Sequence, residues 1–302
     1  MKLKTNPQYK KQILINKCLD MGFKILGFLF LIFSLSALLA LINDLVSTGF
    51  GRISFQFLSN FPSRFAESAG ILSAWVGSFA VMSMTALFAI PLGVASGVYL
   101  EEYAPKNKLT TFIELNITNL AGVPSIIFGL MALGLFVYKM ALGQSIITAG
   151  LTLGLLVLPI IIVTTREAIK TIPVHIREAS YAVGATKWQT IRYHILPYSA
   201  GGIITGVIIA MSRAIGETAP LITIGALTFI AFLPTSPLVS PTQWMFDPFT
   251  VLPIQMFNWV SRPQEEFHTN AAAAGLILIC FTLSLTGVAI IIRNYFRKRI
   301  KW

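Results

Sequence analysis

Residues 70–100 read GILSAWVGSFAVMSMTALFAIPLGVASGVYL, without one Asp, Glu, Lys or Arg. About 18 consecutive apolar residues suffice to carry a helix across the hydrocarbon of a bilayer. This run is therefore a membrane span, and it is long enough to tilt or to project beyond the lipid. Working outward, the runs 25–42, 115–138, 140–165 and 270–292 are equally free of charge, and 193–246 is interrupted only by Arg213 and Glu217. In lipid every backbone N–H and C=O must be satisfied internally, which for runs of this length means helices. The sequence predicts an all-α membrane protein with six transmembrane helices, near residues 24–46, 70–100, 109–138, 144–166, 195–219 and 270–294. Pro124 is expected to kink the third.

Composition agrees. The chain of 302 residues is 55% hydrophobic and 12% charged, against about 25% charged in soluble proteins. The net charge of +11 does not point to nucleic acid, because the basic residues sit at span ends rather than on one soluble face. They cluster in 1–24, 101–114, 166–192 and 293–301, on alternate sides of the spans. The intervening links hold only Arg52, Arg64, Lys139 and Arg262. By the positive-inside rule both termini are cytoplasmic, in a cell inner (plasma) membrane. Cys18 falls on the cytoplasmic side and Cys280 mid-helix, so neither a disulfide nor a metal site is expected. The first apolar run carries a small-x-small stretch, Ser34 to Ser36, but its long basic lead reads as an uncleaved first helix.

The chain divides into an N-terminal stretch, first helix and outer loop (1–69), a core transmembrane domain (70–296) and a basic tail (297–302). Glycines four apart (Gly93 and Gly97, Gly150 and Gly154, Gly202 and Gly206) predict close helix packing. The outer segment 220–269 holds seven prolines. Within it, residues 249–260 have apolar positions near helical spacing. They fit an amphipathic helix at the outer interface anchored by Trp244 and Trp259, or equally a lid packed on helix ends.

The cytoplasmic link 167–194 contains Arg177-Glu-Ala-Ser-Tyr-Ala-Val-Gly184, followed by Leu196-Pro197. It predicts two short helices, up to Val183 and from Lys187 to His194, with Gly184 ending the first. Pro197 opens the next span near its first turn. Tyr181, Trp188 and Ile191 are then available as apolar contacts for a groove on a partner. This spacing resembles the EAA motif of ABC importer permeases, of type I (MetI-like) architecture. The resemblance implies that residues 177–190 form the coupling helices, with Glu178, Ala179, Gly184, Ala185 and Trp188 at the ATPase. His194 stands where that family often has an aliphatic residue. The chain has no G-x-x-x-x-G-K-[ST] phosphate loop. It is expected to be no enzyme and to bind no cofactor or metal, with ATP and Mg held by a separate ATPase.

Arg213 and Glu217 are the full charges inside the predicted spans. A charge at that depth must face a cavity or a partner. The two are four apart, within salt-bridge reach. They either neutralise each other or, Arg being suited to oxyanions, line an anion path. The stretch Arg213-Ala-Ile-Gly-Glu-Thr-Ala-Pro220 resembles the R-x-x-G-E-T-A-P signature of PstA- and PstC-type phosphate permeases. The stretches 249–255 and 262–268 resemble PstA-type chains as well. Over about 70–296, this implies a substrate path with Arg213, Glu217 and Thr218. It implies a PstC-like permease as heterodimer partner, two PstB-like ATPase subunits and an external phosphate-binding protein, all working in membrane lipid by alternating access. Motion of the coupling segment should reach the fourth and fifth spans. The rival expectations are a permease for sulfate or molybdate, a gradient-driven secondary transporter, and a scaffold or sensor subunit.

Overall fold

The computed structural model describes residues 7–298 except position 238. In chain order the helices are α1 (Pro7–Gly49), α2 (Phe55–Ser59), α3 (Leu72–Val98), α4 (Lys108–Leu120), α5 (Ser125–Ala132) and α6 (Ile146–Lys170). There follow α7 (Val174–Ala182), α8 (Lys187–Thr190), α9 (Leu196–Gly216), α10 (Ala219–Thr223), α11 (Leu252–Val260) and α12 (Glu265–Lys298). Among the described residues five helices are long and apolar enough to cross a membrane, or six if the bent pair α4–α5 counts as one span. Lys2, Lys4 and residues 299–302 of the predicted basic tail lie outside the described residues.

Helix α6 is the centre. Of its most apolar window 67% is buried, against none of the same window in α1. It packs on α3 and α9, and the predicted glycines make that possible. Gly93 and Gly97 face Ile161 and Thr165 of α6, Gly150 faces Met84 of α3, and Gly202 and Gly206 face Ala168 and Thr164. Lipid tails are as apolar as leucine, so close van der Waals fit, not water exclusion, holds such helices together.

Three expectations change. The third span is not kinked but broken: α4 and α5 meet at 105°. Pro124 is extended (ψ 133°) as the residue before α5, and a proline disfavours helix in the residue before it, so the turn at 121–124 separates two helices. Second, Trp259 does not anchor an interface. It is wholly buried, its ring tilted against those of Phe57 and Phe267. With its amide oriented by its neighbours, buried Gln255 accepts from Trp259 Nε1 at 3.1 Å and donates to the Thr228 carbonyl at 3.3 Å. So α11 is the packed lid. Third, the helix expected over 187–194 is not separate: α8 runs through a π-helical turn (Ile191–Ile195) into α9.

The loop after α1 is tied by Arg52. Its guanidinium donates to Asn270 Oδ1 (2.7 Å) and to the carbonyls of Ala66, Glu67 and Ala69 (2.9, 2.7 and 3.0 Å).

Candidate functional site

Two regions carry the predicted site residues. The first is a foot built from α7 and α8. Gly184 sits at φ +84°, where side-chain-bearing residues are strained. There its N–H donates to the Tyr181 carbonyl (2.9 Å), and the Ala185 N–H to the Ser180 carbonyl (3.2 Å). Thr186 opens α8 with a capping box closed by Gln189. The Ser180 and Thr190 hydroxyls meet at 2.9 Å in a buried clip between the two helices. Glu178, Ala179, Gly184 and Trp188 are exposed and Ala185 is half-buried. Val183, Trp188 and Tyr181 are exposed apolar groups of the same foot. Ile191, expected among them, is instead buried with Val98, Ile169, Ile172 and Ile195 at its base.

That base holds ion pairs. Arg177 donates to Glu102 Oε1 from Nε (3.1 Å) and Nη2 (2.7 Å). It also donates to the Ile172 and Ile169 carbonyls (3.0 and 3.3 Å), just beyond and within the last turn of α6. The Arg177 and Glu102 side chains are 18% and 6% exposed. Beside them Arg166 pairs with Glu114 at 2.7 Å and Glu101 at 3.6 Å. The foot is thereby fastened to the end of α3, and α6 to both α3 and α4. Sequence reasoning missed these partners. The signal was the acidic pair Glu101-Glu102 at the end of a span on the side where Arg166 and Arg177 lie.

The second region is the break at the end of α9. The helix stops at Gly216, Glu217 is extended (φ −77°, ψ 120°) and α10 starts again at Ala219. Pro220 cannot continue the α9 hydrogen-bond ladder. Arg213 Nε lies 3.3 Å from Glu217 Oε1, the two side chains 40% and 19% exposed. Thr218 is half-buried beside them. Depth follows from Arg293, which ends the apolar run of α12 and lies 3.5 Å from Thr205 Oγ1 on α9. From Thr205, Arg213 is about 12 Å further along the helix, near the middle of a hydrocarbon layer about 30 Å thick. Helix α10 packs on α5, where Gly129 leaves room for Pro220 and Thr223. Two interrupted helices thus lie together. Irregular backbone at membrane depth is tolerated where it is buried in protein or lines a cavity, and interrupted helices build substrate sites in other transporters.

Residues 89–302 match the family described as binding-protein-dependent transport system inner membrane component. The chain belongs to this family. It is a membrane permease subunit and not an enzyme. It is 34% identical over 263 residues to the probable ABC transporter permease protein YqgI of Bacillus subtilis (strain 168), covering 83% of this chain and 87% of that one. It is 35% identical over 234 residues to the phosphate transport system permease protein PstA of Mycobacterium leprae (strain TN), covering 76% and 72%. To PstA of Yersinia pestis it is 32% identical over 277 residues, covering 89% and 87%. Among solved structures, a bacterial alginate ABC transporter in complex with its alginate-bound periplasmic protein superposes with TM-score 0.60 at 16% identity, over 96% of both chains. The inward-facing MetNI methionine ABC transporter superposes with TM-score 0.56 at 18% identity, over 73% of this permease and 94% of that chain. These two matches speak for the fold alone, a MetI-like importer permease.

Proposed function

We propose that this permease forms half of the path of an ATP-driven phosphate importer. The observation that carries the reading is the Arg213–Glu217 pair at an interrupted helix near mid-membrane, in a chain whose relatives include proteins named as phosphate permeases. A guanidinium held by a single long contact keeps most of its fork free for an oxyanion. Binding must be loose, since a tightly held dianion would not leave. Arg213 attracts the dehydrating anion, and Glu217 and Thr218 position the guanidinium and the ligand. The path is completed by a PstC-like permease, and phosphate arrives from an external binding protein.

Two PstB-like subunits hold ATP and Mg and dock on the foot through Glu178, Ala179, Gly184, Ala185 and Trp188. The foot faces the cytosol, as do both termini. Its motion reaches α9 directly, because α8 and α9 are continuous, and reaches α3 through Arg177 and Glu102. That adds α3 to the fourth and fifth spans.

Uptake of radiolabelled phosphate by cells expressing the intact system tests the substrate. Excess unlabelled phosphate should suppress the signal, while sulfate and molybdate leave it unchanged. Suppression by sulfate or molybdate at equal concentration overturns the assignment.

A further inference from the structure

One cation has no part in this mechanism. Arg293 touches Thr205 at 3.5 Å, but its Nε is buried with no hydrogen-bond partner. Among the described residues it pairs with no carboxylate. Acids are scarce around it. The stretch 187–216 has none and α12 has none after Glu266. Glu101 and Glu102, which follow α3, are taken by Arg166 and Arg177.

Ile292 and Ile204, the chain neighbours of Arg293 and Thr205, line a groove of about 420 Å³ between α3, α9 and α12. Leu285 and Ala289 continue the Arg293 stripe along α12, and Ile208 and Ser212 the Thr205 stripe along α9, at the spacing that shares one helix face. Phe79 and Met82 of α3 form the third wall. The lining is apolar except for Ser83 and a Ser212–Thr286 hydroxyl pair at 3.1 Å. Along α9 the groove runs from Ile203 to Ile215, about 18 Å, close to the roughly 15 Å of one leaflet's hydrocarbon.

We propose that this groove holds one acyl chain of an anionic phospholipid, with the headgroup phosphate on Arg293. The walls supply the shape and the guanidinium the selectivity, since an apolar chain gains little by leaving bulk lipid. Basic pockets between spans on the cytoplasmic side are where anionic headgroups bind. Charge also argues against α1 of another copy of this chain as occupant, because its lead carries Lys11, Lys17 and Lys24 at the same side of the membrane. The bound chain lies against α9 just before the break that carries Arg213. The inference uses the proposed orientation to choose the leaflet, and it is independent of the transported solute.

Native mass spectrometry of the intact transporter complex, purified with its partners, tests this. The complex is equilibrated with phosphatidylglycerol or phosphatidylcholine of equal chain length. We expect a preference of about fivefold for phosphatidylglycerol, the roughly 1 kcal/mol that one cation contributes near an anionic headgroup. Arg293→Gln should abolish the preference and Arg293→Lys retain it. Ala289→Trp, which fills the groove, should remove both lipids. Equal retention of the two lipids by the unaltered complex overturns the proposal. So does an unchanged preference in Arg293→Gln, or a disulfide between Ala289→Cys and a cysteine placed on a neighbouring subunit's helix.

Discussion

Arg177 in the foot and Arg213 at the membrane break are both arginines paired with a glutamate of the same chain, and they are used in opposite ways. Arg177 donates twice to Glu102 and twice to carbonyls around the end of α6, in a site from which water is largely shut out. Arg213 has one contact to Glu217, at 3.3 Å, longer than the 2.7–2.9 Å of a strong charge-assisted bond. The guanidinium with four bonds is a fastener. In the proposed mechanism the under-used one, on an interrupted helix, is left to meet a ligand.

That contrast is broken or sharpened by substitution. Arg177→Gln leaves Glu102 buried without its counter-charge, which costs about 3–5 kcal/mol, so the permease should assemble poorly. Size-exclusion yield and thermal unfolding read this out. The exchange Glu102→Arg with Arg177→Glu should recover part of the loss; no recovery means that the two residues act separately. Gly184→Val forces a branched side chain to φ +84° at a cost of about 1–2 kcal/mol, and should reduce ATPase binding in co-purification more than it lowers insertion. Ser180→Ala removes the clip to Thr190 for about 1 kcal/mol, a small shift in the same unfolding assay. Arg213→Gln should be the mildest for stability, below about 1 kcal/mol, because a half-exposed pair contributes little. A large loss of assembly there would make Arg213 a second fastener.

Much of this was legible in the chain. Charge-free runs placed the spans, because lipid tolerates so little else, and the glycines at 93, 97, 150, 202 and 206 marked where helices touch. Gly184 and the Arg213–Pro220 stretch marked the two regions. What stayed hidden depends on contacts between distant segments. That Glu102 belongs to Arg177, that Ile191 turns inward, and that Trp259 is core and not an interface anchor are decided by which helices become neighbours. The 105° break at 121–124 reads in sequence as one long apolar run, since hydropathy reports composition and not direction.

The central claim is that Arg213 serves the solute and not the scaffold. Its most direct test is phosphate uptake in proteoliposomes holding the complete complex, with nucleotide hydrolysis measured in parallel, for the native permease and Arg213→Gln. The account predicts that uptake falls at least about tenfold, or ~1.4 kcal/mol of barrier, while complex yield and hydrolysis stay within about twofold, under ~0.5 kcal/mol on the same scale. Uptake that persists at the native rate, with Arg213 replaced and the complex intact, contradicts it.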